Sequence, residues 1–211
     1  FNNGRGLLAR MEDLRSACPG AISGTDAFAI AVAGTVMPRE DYTRQLTDYL
    51  ETVTARGNAA ASDGQKRLMV LGSISDDMAL IELIEEDGKA VVAAENLCFG
   101  VRHDGHSIQE AGDPVAALAS SYLGASTCPR MFGKYKARLA SVMAAIERAA
   151  IDGVVMQNIR FCDLHGSENS LFERDLEAKG IPCLKIEREY GPLVETGRIK
   201  MRLEAFLERL G

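Results

Sequence analysis

Cys162 closes the run Gly153-Val-Val-Met-Gln-Asn-Ile-Arg-Phe-Cys-Asp-Leu-His165, which reads as a buried strand passing into a polar loop. In an open parallel α/β sheet that position is the carboxyl edge, where ligands collect, and a thiolate there can hold a metal or attack a substrate. The plainer reading is a small residue that buries well. Other apolar runs end in similar polar tips: Gly72-Ser-Ile-Ser-Asp-Asp77, Glu95-Asn-Leu-Cys-Phe-Gly-Val-Arg102 and Glu187-Arg-Glu-Tyr190. Ser73, Ser75, Asn96, Cys98, Arg102, Cys162 and Glu187 are therefore expected around one crevice, although they are far apart in the chain.

Several chemistries compete for such a crevice. Gly72-Ser-Ile-Ser75 before a helix suggests phosphate binding, but Asp76 and Asp77 put negative charge where the phosphate would sit, and neither GxGxxG nor a Walker loop is present. Cys98, His103 and His106, with Cys128 or Cys162 as a fourth ligand, have the chemistry of a zinc set, in a spacing that matches no common zinc signature. An iron–sulfur site would need cysteines from separate segments to meet in space, because the clustered ferredoxin spacing is absent. Asp163 and His165 either orient the Cys162 loop or are surface residues of a turn. By position alone Glu187 and Glu189 are candidates for proton handling, against the plainer reading of solvated carboxylates.

The elements that must position these residues begin at Arg67. The runs Arg67-Leu-Met-Val-Leu71, Ala90-Val-Val-Ala-Ala94, Gly153-Val-Val-Met156 and Cys183-Leu-Lys-Ile186 are mostly apolar without polar alternation, as strands covered on both faces are. Helical patterns separate them at 76–88, 113–122, 135–151 and 170–179, and a closing helix at 197–210 carries Ile199, Leu203, Phe206, Leu207 and Leu210 on one face. The alternation predicts an α/β fold: a four-stranded parallel sheet with right-handed crossovers, flanked by helices in a flavodoxin-like or Rossmann-like manner. Residues 1–65 differ, with helical patterns near 7–16 and 42–55, an alanine-rich apolar run at 27–36 before Met37-Pro38, and a small-residue linker at 57–64. The expected division is a helical arm and linker at 1–65 and an α/β domain at 66–211. The arm has too little amphipathic pattern to stand alone and is expected to dock on a neighbour.

Composition narrows the partners. The 211 residues are 46% hydrophobic and carry a formal charge of -6 with a pI near 5.2, enough for one good core with a small attachment. No long Lys/Arg stripe exists to displace counterions, which argues against nucleic acid, and no uninterrupted apolar span argues for a membrane. Five cysteines without tight repeated spacing make a poor disulfide framework, so a reducing cytoplasm is expected. The chain opens on Phe1 without a signal peptide and reads as a piece of something longer.

A string of motifs is more specific than any one of these signals. Ser23-Gly-Thr-Asp-Ala-Phe28, Ala33-Gly-Thr-Val-Met-Pro38, Arg67-Leu-Met-Val-Leu-Gly-Ser73, Glu95-Asn-Leu-Cys-Phe-Gly-Val-Arg102, Asp113-Pro-Val-Ala-Ala-Leu118, Thr127-Cys-Pro129, Arg160-Phe-Cys-Asp163 and Arg202-Leu-Glu-Ala-Phe206 occur in that order. Together they resemble the 2-hydroxyacyl-CoA dehydratase and benzoyl-CoA reductase family of anaerobes, over nearly the whole chain. The resemblance is to the C-terminal half of a family subunit. It implies an upstream α/β domain that supplies two of the three cysteines holding a [4Fe-4S] cluster, with Cys162 as the third. Cys98 and Cys128 match family cysteines that are not cluster ligands.

The resemblance further implies one-electron chemistry on an acyl-CoA thioester. A separate ATP-hydrolysing activator protein donates the electron, the enzyme includes a homologous second subunit, and the thioester ketyl radical anion loses its 2-hydroxyl and 3-proton. Benzoyl-CoA reductases use a related transfer to dearomatise a ring. An iron with three protein ligands leaves a position for a carbonyl oxygen, and Phe99 and Phe161 could supply part of the dry pocket such a cluster needs. One departure stands out: after Arg102 the family pattern continues with an aromatic pair, whereas this chain has His103-Asp104-Gly105-His106. The expectation is thus a fragment of a cluster-bearing dehydratase subunit, inactive by itself. The alternatives are a ring reductase, or a cluster-free relative that binds a CoA thioester or scaffolds a catalytic partner.

Overall fold

The computed structural model describes residues 1–18, 20–56, 64–75, 77–98, 107–124 and 133–211. Strands β1 (Lys66–Gly72), β2 (Ala90–Asn96), β3 (Gly153–Ile159) and β4 (Cys183–Arg188) form one parallel sheet in the order β2-β1-β3-β4. The fold is the expected α/β one. Each strand runs past the end of its apolar run, to residues 72, 96, 159 and 188, because the polar tip residues continue the parallel register: Leu71 faces Asn96, Gly72 faces Gln157 and Ile159 faces Arg188. β1 and β3 lie side by side at the centre, and their onward connections leave in opposite directions, from β1 to β2 and from β3 to β4, so the β1/β3 border is a topological switch point.

Two helical layers cover the sheet. On one face α4 (Ala79–Glu85) and α8 (Thr196–Arg209) bury Leu80, Ile81, Ile84, Ile199, Leu203 and Phe206 against Leu68, Val70, Val92, Val155 and Ile186. On the other, α6 (Tyr135–Ala149) and α7 (Asp163–Glu177) bury Val142, Ile146, Phe172 and Leu176 against Met69, Leu71, Val154 and Met156. The residues facing each layer alternate along β3, as a doubly covered strand requires.

Residues 2–55 form α1 (Asn2–Ala17), α2 (Gly24–Val36) and α3 (Arg39–Ala55), which share a core of Met11, Ile22, Ala27, Tyr42, Leu46, Leu50 and Val53. Two polar anchors bind this arm to the sheet. Glu85, at the end of α4, accepts from the amides of Gly24 (2.8 Å), Thr25 (3.2 Å) and Val92 (3.0 Å) and from the Thr25 hydroxyl (3.0 Å), so a carboxylate stands at the positive end of α2. Gly24 is required there, because a Cβ would lie 2.5 Å from Val92 Cβ. The second anchor is Arg15 of α1. It is 1% exposed and donates to both oxygens of Glu95 (3.2 and 2.9 Å), to Glu12 (2.8 Å) and to the Val92 carbonyl (2.8 Å).

Glu85→Ala is expected to lower stability by about 2–3 kcal/mol, since four donors lose a charged acceptor. A denaturant titration that moved by less than about 0.5 kcal/mol would show that the arm is held by packing alone. Among the described residues, no helix is long and apolar enough to cross a membrane.

Candidate functional site at the carboxyl edge of the sheet

The switch point is closed by protein groups. Gly72 has φ +136°, and a Cβ there would sit 1.9 Å from the Gln157 carbonyl oxygen, so only glycine lets the end of β1 lie against β3. Ser73 follows and is 1% exposed. Its amide donates to the Gln157 carbonyl (3.1 Å), and its hydroxyl donates to Asn158 Oδ1 (3.2 Å) while accepting from the Ile159 amide (3.1 Å). The Gln157 side-chain amide donates to the carbonyls of Ser73 and Ile74. Ser73 thus joins the tips of β1 and β3.

Ser75 is buried as well and is joined to the far strand. The Arg188 guanidinium reaches from β4 and donates to Ser75 Oγ (3.1 Å), to Asp77 Oδ2 (2.7 Å) and to the Gly191 carbonyl (2.9 Å). Asp77 also accepts from the Ala79 amide at the start of α4 (3.1 Å). The acidic pair seen in the sequence thus has a structural role through Asp77; Asp76 lies outside the described residues. Arg188, Gln157 and Asn158 were not singled out by sequence reasoning. Their signal was polar residues continuing an apolar run at a strand end.

Cys162 stands beside this network. Its amide donates to the Ile159 carbonyl (2.9 Å) in a tight turn, and it is the residue that caps α7. The polar loop expected after Cys162 is instead helix from Asp163, seven residues before the expected start at 170. Asp163, Gly166, Ser167 and Glu168 give this turn the composition of a loop, but His165, Asn169, Phe172 and Leu176 recur at helical spacing and are buried. Asp163 and His165 accordingly lie in the first turn of α7, with His165 buried. The Cys162 thiol is half-buried and makes no capping hydrogen bond. Phe161, just before it, has φ +65° and is 92% exposed, an unfavourable backbone conformation with an aromatic ring in water.

The other expected site residues fall as follows. Asn96 ends β2 and Cys98 follows it, both half-buried. Glu187 is exposed, 3.9 Å from the Arg160 guanidinium, which pairs more closely with Glu189 (2.6 Å). Phe99, Arg102, His103, His106 and Cys128 lie outside the described residues. Cys183 is buried at the opposite end of β4, where burial first, and then Glu177 and Glu173, push its thiol up to about 12.

A family model described as "2-hydroxyglutaryl-CoA dehydratase, D-component" matches residues 1–210. The chain belongs to that family. It is 23% identical to the (R)-phenyllactyl-CoA dehydratase beta subunit of Clostridium sporogenes, over the whole chain and 55% of that relative. It is 26% identical to one of the subunits of benzoyl-CoA reductase from Thauera aromatica, over 77% of the chain and 42% of that relative. The beta subunit of lactoyl-CoA dehydratase from Anaerotignum propionicum is 21% identical over the whole chain and 55% of that relative. The chain spans about half the length of these relatives or less.

Family membership sets the test for Cys162. Among the described residues no three His, Cys, Asp or Glu side chains converge as a metal site, so a cluster could draw at most part of its ligand set from them. Cys162 has the chemistry of one such ligand. Cys183, buried and with its thiol held protonated, does not fit the role.

Proposed function

We propose that this chain is the C-terminal part of a subunit that acts on acyl-CoA thioesters by one-electron chemistry, with dehydration of a 2-hydroxyacyl-CoA as its reaction. The observation that carries the reading is a half-buried, uncapping thiol at the switch-point edge of the sheet, in a chain matched to the dehydratase family from end to end. Cys162 would be the ligand given to a [4Fe-4S] cluster by the domain at 66–211, and an upstream α/β domain would give the other two. Held there, such a cluster would supply single-electron transfer to a thioester carbonyl; loss of the 2-hydroxyl and a 3-proton as water would leave the overall oxidation state unchanged.

The chain's own residues set the conditions for that step. Ser73, Gln157, Asn158, Ser75, Asp77 and Arg188 fill the switch point with internal hydrogen bonds, which leaves the reacting groups outside it, over Cys162. The Phe161 ring is 92% exposed and makes no dry pocket within this chain, so it would line one only against a surface supplied by the upstream domain or a partner. Glu187 and Glu189, exposed on the β4 tip and paired with Arg160, are the carboxylates proposed to handle the proton.

Helix α5 (Pro114–Gly124) supports assembly with more protein. It is apolar yet buries none of its residues, and Val115 and Leu123 are 70% and 73% exposed. The upstream domain and a homologous second subunit are the proposed neighbours, with an ATP-dependent activator as electron donor in the cytoplasm. Similarity to a benzoyl-CoA reductase subunit favours ring reduction as the second reading.

The test combines the complete gene product, its co-purified partner subunit, an activator, ATP and reductant, with a 2-hydroxyacyl-CoA or benzoyl-CoA as substrate. Expected is an enoyl-CoA product that requires ATP and activator and is lost in air. A dearomatised product would move the assignment to the reductase reading. Turnover independent of the activator would contradict one-electron chemistry, and a colourless protein that binds thioesters without turnover would identify a scaffolding relative.

A further inference from the structure

A cavity of about 280 Å³ lies among α1, α2 and α3, with Glu95 of β2 and Tyr122 of α5 completing its wall, and shares no lining residue with the β1/β3 switch point. At about 30 Å³ for each water-sized group it holds on the order of ten non-hydrogen atoms. Its wall is mixed. Leu8, Met11 and Ala31 are apolar, whereas Arg5, Arg39 and Tyr42 bring cations and a hydroxyl.

These polar groups are under-used. Arg39 lies over the Tyr42 ring at 5.3 Å and donates through Nη2 to the Gly34 carbonyl (3.1 Å). Its buried Nε finds no hydrogen-bond partner among the described residues, and neither does the hydroxyl of Tyr42, a residue only 2% exposed. Arg5 donates to Tyr122 Oη (3.2 Å) and Asn2 Oδ1 (3.5 Å), both neutral. Among the described residues no ion pair joins either arginine to a carboxylate. A buried donor without an acceptor is destabilising, and a bound acceptor would recover that loss.

Charge narrows the ligand. Glu12 and Glu95 also line the cavity and share the single guanidinium of Arg15, a set with one negative charge in excess, so that together with Arg5 and Arg39 the groups around the cavity carry one net positive charge. A single carboxylate matches the donor edge of a guanidinium. A phosphate dianion would bring a second negative charge toward Glu12 and Glu95 and would leave the apolar wall bare. We infer that this cavity is a binding site for a small organic monocarboxylate with an apolar or aromatic body. Binding there requires neither Cys162 nor a cluster, so it stands or falls separately from the thioester reading.

The experiment is calorimetric titration of the complete gene product with phenylacetate, phenylacetamide and inorganic phosphate. Phenylacetate is expected to bind at least tenfold more tightly than its amide. Arg39→Gln should weaken phenylacetate at least tenfold and leave the amide unchanged, and Tyr42→Phe should weaken it severalfold. Ala31→Leu fills the space from α2 without removing a charge and should abolish binding, which keeps the test decisive if Arg39→Gln fails to fold. Equal binding of acid and amide, full affinity in a folded Arg39→Gln or Ala31→Leu protein, or phosphate binding as tightly as phenylacetate would overturn the inference.

Discussion

Cys162→Ala, placed in the complete gene product and purified without oxygen, is expected to lose most of its iron and more than about 100-fold of any thioester turnover, because a cluster stripped of a thiolate ligand is neither held nor tuned. Cys183→Ala should keep both. The contrast follows from where the two thiols sit. Cys162 is at the carboxyl edge of the sheet, half-buried, at the start of α7, and its sulfur caps nothing. Cys183 opens β4 at the opposite edge, packed among Phe172 and Leu176, with its thiol pushed up to about 12. Both variants remove a small side chain, and the buried one stands to lose more packing. Equal iron in the two proteins would remove Cys162 from the ligand set.

Arg15→Ala has the largest expected effect on stability, about 3–5 kcal/mol, which is a large part of what a domain of this size has to lose. In a chain of this length that lowers the melting temperature by roughly 10 °C. Arg15 is buried with two carboxylates, and although burial works against its charge, Glu95 and Glu12 more than offset it and hold its pKa above the usual arginine value. Without Arg15, Glu12 and Glu95 would face each other in the interior.

Acid should therefore rescue the variant in part. Burial already raises the Glu12 pKa in the folded protein, in spite of Arg15. A carboxyl with its folded pKa above the ordinary 4.5 binds its proton more tightly in the native state. Its contribution is thus complete below pH 4.5 and is lost as pH rises through the folded value. Removing Arg15 should move that loss to higher pH, so the deficit of Arg15→Ala is expected to shrink between pH 7 and pH 5, measured by thermal melts. A deficit that did not change with pH would mean that lost packing, rather than uncompensated charge, is the cause.

The strands were legible because both faces of the sheet are covered, which leaves the runs at 67–71, 90–94, 153–156 and 183–186 without polar alternation. Their carboxyl ends were not, because Gln157, Asn158 and Arg188 are polar residues that extend the register only by pairing with neighbours far away in sequence. The start of α7 was obscured by its composition. His165 and Asn169 carry its buried stripe, and polar residues do not register as an apolar period. The carboxyl-edge placement of Cys162 was readable from a single segment. The contacts of Arg15 with Glu95, of Glu85 with the start of α2, and of Arg188 with Asp77 were not, because each joins residues 60 or more positions apart. The cavity lined by the first three helices was equally hidden, since no sequence pattern announces a buried hydroxyl that finds no partner among the described residues.

The most direct measurement is iron and acid-labile sulfide in the complete, unmodified gene product, purified and kept under anoxic conditions. About four of each per subunit is the expected result for a cluster held in part by Cys162. Neither iron nor sulfide, in protein shown by circular dichroism to be folded and never exposed to air, would contradict the account and leave a cluster-free member of the family.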